Sequence, residues 1–91
     1  MNIMQVLLRP IAVKYLERLG VTDKDRIKAA LKDLSREPPE GDIKPLVGQS
    51  GYFRLRVGKY RVLYRIEDNS IFVTNIDPRG QVYKKKNRRK K

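Results

Sequence analysis

The chain has 91 residues, with 22 Lys and Arg against 10 Asp and Glu and a formal net charge of +12. One thin-cored domain of this size removes only about 60–65% of its unfolded surface from water, and the charge favours a polyanion or an acidic protein as partner. Neither cysteine nor histidine occurs, which excludes disulfides, thiol nucleophiles, zinc sites of the usual Cys/His type and imidazole acid–base catalysis.

The opening MNIMQVLLRP carries an apolar run too short for a signal segment or a membrane span, so a cytosolic, membrane-free protein is expected. Ile3 to Leu8, closed by Arg9-Pro10, suits a strand that leads into a helix, because the first helical turn accepts proline without losing a needed N–H. Ile11, Tyr15, Leu16 and Leu19 then share one helical face, and Gly20 is placed to cap its end. Thr22 followed by Asp25 resembles a capping box, and Ile27, Leu31 and Leu34 continue a second stripe until Pro38-Pro39 forbids further helix. A helical hairpin is expected.

Residues 37–42, EPPEGD, are turn-forming, and Ile43 to Val47 is short and interrupted by Pro45, which limits it to an edge strand or an extended loop. Tyr52 to Val57 alternates, with Phe53, Leu55 and Val57 on one face and Tyr52, Arg54 and Arg56 on the other, and Gly58-Lys59 offers a two-residue turn. Tyr60 to Glu67 repeats the pattern, with Tyr60, Val62, Tyr64 and Ile66 opposed to Arg61, Leu63 and Arg65, and Asp68-Asn69 turns the chain into a strand over Ser70 to Ile76. The expected fold is α+β: an N-terminal strand, a helical hairpin, then an antiparallel sheet of three to four strands. Helices cover one side of such a sheet, so the apolar alternates face the hairpin and the arginines face solvent.

No internal repeat or linker interrupts residues 1–83, which read as a single domain. Seven positive charges fall in residues 84–91, leaving +5 for the rest of the chain, and this tail reads as disordered when unbound.

The pattern projects Arg54, Arg56, Arg61 and Arg65 to one side, where guanidinium forks can hold phosphate in bidentate fashion. Basic residues on an exposed sheet face are commonly only solvated; their clustering on neighbouring strands is what makes these candidates for binding an RNA backbone. Lys44, Lys14 and Arg18 read as solvated charges. Tyr60 and Tyr64 share parity with Val62 and belong to the core.

Residues 51–66, GYFRLRVGKYRVLYRI, resemble the central hairpin of the RelE/ParE toxin superfamily, and residues 77–83, DPRGQVY, resemble the arginine-to-tyrosine ending of its RelE-type members. The resemblance covers nearly the whole chain up to Tyr83 and implies a RelE-like, microbial ribonuclease-like fold. It further implies a toxin of a type II toxin–antitoxin system that cleaves messenger RNA in the ribosomal decoding site, without metal or other cofactor, by attack of the ribose 2′-hydroxyl on the adjacent phosphate. On the matching positions the catalytic set is Arg54, Arg56, Arg61, Arg79 and Tyr83. Arg61 and Arg79 suit transition-state charge, because arginine stays protonated and presents fixed donors; Tyr83 suits base stacking or proton transfer.

Ribonuclease members of the family carry a sheet lysine where this chain has Tyr52 or Arg54. Arginine hardly deprotonates, so the general base stays open among Tyr52, Tyr83, Lys59 and a mechanism that mainly orients the substrate. The implied partners are the ribosome with its mRNA and an acidic, RelB-like antitoxin in a hetero-oligomer. Two other readings are a ParE-like topoisomerase inhibitor and an RNA-binding relative that has lost cleavage.

Overall fold

The computed structural model describes residues 4–36 and 38–78. Along them run β1 (Gln5–Leu8), α1 (Pro10–Arg18), α2 (Val21–Leu34), β2 (Asp42–Pro45), β3 (Tyr52–Val57), β4 (Tyr60–Glu67) and β5 (Ser70–Asp77). The strands form one five-stranded sheet in the order β1-β5-β4-β3-β2. The expected antiparallel set is β2 to β5, and the N-terminal strand joins the same sheet by pairing with β5 in parallel, Gln5 opposite Ser70 through Leu8 opposite Val73. The fold is thus α+β with a mixed sheet.

Pro10 begins α1 as expected, with Arg9 extended before it at φ −66° and ψ 152°. The helix ends at Arg18 through an extended Leu19 rather than a left-handed glycine. Gly20 is also extended, at φ −65° and ψ 159°, and serves as the N-cap of α2. The expected capping box does not form: α2 starts at Val21, so Thr22 lies inside its first turn and no side chain caps it. Asp23 places a carboxylate in that turn, where the helix dipole favours negative charge. At the other end Ser35 stops the helix before the prolines are reached, its hydroxyl donating to the Lys32 carbonyl at 2.7 Å. The Ser35 carbonyl accepts the Met4 N–H at 2.9 Å, which fastens the start of β1 to the end of the hairpin.

The two tight turns use backbone suited to them. Gly58 takes φ 60° between β3 and β4, and Asp68 and Asn69 take φ 49° and 62° between β4 and β5. The second is the double positive-φ geometry that follows the twist of a two-residue hairpin and that Asp and Asn tolerate. One irregularity interrupts β4–β5: Leu63 pairs with Asn75 and Tyr64 with Val73. Thr74 is the extra residue, and its hydroxyl donates to the Leu63 carbonyl at 3.2 Å, a bulge that keeps Ile76 inward and Asn75 outward.

The core lies between the hairpin and one face of the sheet. Ile27, Leu34, Leu55, Val62, Ile71 and Val73 are its most completely buried large side chains, and each contributes about 1.5–3 kcal/mol by leaving water. Phe53 stacks on Tyr64 across β3–β4 at 5.5 Å between ring centroids, a cross-strand pair that reinforces the register. Tyr60 and Tyr64 are buried in this layer. Ile66, expected on the same side, stays 45% exposed, because β3 begins at Tyr52 opposite Arg65 and gives Ile66 no neighbour there.

Candidate nucleic-acid interface

The face turned away from the helices is built of three rows that cross the strands in register. The first runs Asp42, Arg56, Arg61, Asp77; the second runs Lys44, Arg54, Leu63, Asn75; the third runs Tyr52, Arg65, Phe72, Leu7. Side chains two residues apart on a strand share a face, so adjacent rows lie about 6.6 Å apart. Five cationic side chains, Lys44, Arg54, Arg56, Arg61 and Arg65, stand there against the carboxylates of Asp42, Asp77 and Glu67, which leaves the face cationic.

The first row sets Arg56 and Arg61 directly opposite each other. Like charges so placed repel, and Asp42 and Asp77 at the two ends of the row supply countercharge. Arg56 is exposed and Arg61 half-buried, so a phosphate arriving over the middle of the row meets two guanidinium groups from paired strands. That is the geometry in which arginine forks bind oxyanions well.

Arg54 departs from the expectation that the arginines face solvent: it is only 8% exposed. Its Nη2 lies 3.6 Å from Asp42 Oδ1, an ion pair too long to be a hydrogen bond. Its Nη1 is buried with no acceptor among the described residues. Local alternation set the face correctly; what it could not supply is Asp42, a diagonal neighbour on another strand. A buried guanidinium donor without an acceptor is costly.

Arg65 is held against the third row. Its guanidinium carbon sits 5.0 Å from the centre of the Phe72 ring, and its Nη2 is 3.1 Å from Glu67 Oε1. Sequence reasoning placed Arg65 on this face and left it out of the catalytic set. Lys44, read there as a solvated charge in a segment expected to be an edge strand or an extended loop, is on β2 directly opposite Arg54. The i, i+2 spacing of Asp42 and Lys44 was the available signal, obscured by Pro45 within so short a segment.

The tyrosines divide by face. The Tyr60 phenol donates to Asp23 Oδ2 at 2.6 Å; that hydrogen bond, with burial and the aspartate charge, pushes it up to about 12. Burial pushes Tyr64 up to about 12 as well. Both face the hairpin and take no part in the open face. Lys59 Nζ lies 5.6 Å from the centre of the Tyr60 ring, which draws it to the helix side. Tyr52 stays on the open face, half-buried. Of the expected catalytic set the structure brings Arg54, Arg56 and Arg61 together; Arg79, Tyr83 and the basic tail lie outside the described residues. Among the described residues no helix is long and apolar enough to cross a membrane.

A helical hairpin packed on one side of a five-stranded mixed sheet is an architecture shared with solved toxin structures. The archaeal RelE–RelB complex from Pyrococcus horikoshii OT3 contains a chain that matches with a TM-score of 0.75 and 28% identity, over 89% of this chain and 99% of that one. The toxin–antitoxin complex RelBE2 from Mycobacterium tuberculosis matches with a TM-score of 0.69 and 33% identity, over 82% and 96%. Toxin RelG of Mycobacterium tuberculosis (strain ATCC 25618 / H37Rv) is 39% identical over 62 residues, covering 65% of this chain and 70% of RelG. Residues 6–83 match the family model of the ParE toxin of type II toxin-antitoxin system, parDE. The chain belongs to the RelE/ParE family of type II toxin–antitoxin toxins.

Proposed function

We propose that this toxin is a ribosome-dependent endoribonuclease of the cytoplasm. The observation that supports it is the placement of Arg54, Arg56 and Arg61 on one open face, with Arg56 and Arg61 directly opposite each other on paired strands. In the proposed reaction the ribose 2′-oxygen attacks the adjacent phosphorus, its proton passing to a base. The bond to the 5′-oxygen of the next nucleotide breaks, and that oxygen takes up a proton. The products are a 2′,3′-cyclic phosphate and a free 5′-hydroxyl. Arg61, with Arg79 two residues beyond the end of β5, stabilises the negative charge that builds on the phosphoryl oxygens. Arg54 and Arg56 hold the backbone, and Tyr83 stacks on a base or carries a proton. With Tyr60 and Tyr64 buried and Lys59 on the helix side, Tyr52 and Tyr83 remain as side-chain candidates for the base, and Lys44 joins them by its position beside Arg54.

The proposed partner outside the ribosome is an acidic antitoxin that forms a hetero-oligomer with the toxin and covers the basic face. Matches to RelE–RelB complexes support this reading.

A second reading, inhibition of a DNA topoisomerase without chemistry on nucleic acid, is favoured by the ParE family model. Controlled expression in bacteria, with primer extension on a translated reporter mRNA, separates the two. New 5′ ends in phase with codons that vanish when initiation is blocked are the expected result; growth arrest without cuts assigns the topoisomerase.

A further inference from the structure

The third row of the open face has a chemistry different from the other two. Tyr52, Arg65, Phe72 and Leu7 stand side by side on four strands, and only Arg65 among them is charged. A surface arginine held by nothing but a carboxylate extends into water. Arg65 instead lies over the Phe72 ring at 5.0 Å, is anchored at one edge by Glu67 at 3.1 Å, and keeps its Nε buried with no acceptor among the described residues. Its side chain is still 35% exposed, so the held side chain presents area to solvent.

We propose that Arg65, backed by Phe72 and flanked by Tyr52, is a stacking platform for one unpaired nucleobase of single-stranded RNA. The inference rests on the RNA-cleaving reading and adds to it a base-binding subsite. Arginine planes and aromatic rings are the surfaces on which splayed bases stack. The row beside this one carries Arg54 and Lys44 opposite each other, about 6.6 Å away along the strands, on the scale that separates a base from the phosphate of its own nucleotide. A phosphate held by the second row therefore delivers its base to the third. Glu67 engages the guanidinium at Nη2, and the part of the side chain that stays exposed is what a stacked base would cover.

The test is fluorescence anisotropy of the full chain with a labelled hexanucleotide RNA and with a set of the same oligonucleotides carrying one abasic position each, at several salt concentrations. Arg65→Lys keeps the charge and loses the plane; Phe72→Leu keeps the apolar backing and loses the ring, and serves if the first variant does not fold as judged by circular dichroism. For the wild type, one abasic position should weaken binding on the order of 10-fold. For either variant, the intact RNA should bind on the order of 10-fold more weakly, with the penalty for that abasic position gone and the salt dependence unchanged. Equal binding by variants and wild type, equal weakening on intact and abasic RNA, or absence of RNA binding by the wild type overturns the proposal. So does a loss confined to the complex with the antitoxin, which would assign the row to a protein partner. Primer extension with the wild type reports separately on cleavage: discrimination against the abasic position without cuts leaves the subsite standing and removes the nuclease.

Discussion

Tyr60 of β4 donates its phenolic hydrogen to Asp23 in the first turn of α2 at 2.6 Å, so the strand that carries Arg61 is tied to the hairpin one residue away from it. The hydrogen bond holds only while the phenol keeps its proton. The folded value for Tyr60, about 12, lies above the ordinary 10.0, and so does that of Tyr64. The stabilisation that both supply is complete below pH 10 and is lost as pH rises towards 12, because the unfolded chain releases these protons first. Denaturation midpoints measured from pH 8 to 12 should fall across that window, and Tyr60→Phe should flatten the fall while lowering the midpoint at pH 8.

Gly41 stands just before β2 at φ 139°, and a Cβ there would meet Leu55 Cδ1 at 2.7 Å. Leu55 is fully buried and has little room to withdraw. Gly41→Ala should cost about 1–3 kcal/mol through overpacking and strain, read as a lower urea midpoint with an unchanged slope.

Arg56 and Arg54 share a face but not a burial state, and their variants should separate. Arg56→Ala, at an exposed position, should leave stability within about 0.5 kcal/mol. Arg54→Met removes a buried guanidinium whose Nη1 has no acceptor among the described residues, and it should hold or raise the melting temperature, as exchange of buried charge for apolar volume often does. Both should lower RNA cleavage, and Arg61→Ala should lower it on the order of 100-fold, measured as cut product per time in a translating extract. Toxicity and cleavage at wild-type levels in all three folded variants would sink the assignment of the face.

Ile27 of α2 is fully buried between the hairpin and the sheet. Ile27→Ala should cost about 2–5 kcal/mol, a large part of the stability of a domain this small, and should abolish activity through unfolding. Near-wild-type activity at low temperature with a depressed melting temperature would distinguish this loss from that of a site residue.

What was legible in the sequence was the part governed by local periodicity. The alternation of Tyr52–Val57 and Tyr60–Glu67, the Gly58-Lys59 turn and the stripe of Ile27, Leu31 and Leu34 translated directly into β3, β4, their hairpin and α2. Non-local pairing was not legible. Nothing within residues 5–8 says that they pair in parallel with residues 70–73, and nothing around Arg54 says that Asp42 lies against it. Gly20 shows the limit of reading a glycine as a helix stop: an extended backbone suits the N-cap of the next helix equally well. The candidate site was legible as a charged face, whereas the seating of Arg65 over Phe72 and the pairing of Lys44 with Arg54 depended on strands meeting across the sheet.

The parallel pairing of β1 with β5 joins the two ends of the described chain. The meander of β3, β4 and β5 needs only short loops and can form as soon as it is made, but β1 has to wait for a partner that is the last of the described strands to be synthesised. Closing so long a loop is an entropic toll that slows folding. On a growing chain β1 therefore waits unpaired until Val73 has left the exit tunnel, and the sheet can close along its parallel edge only once β5 has been delivered.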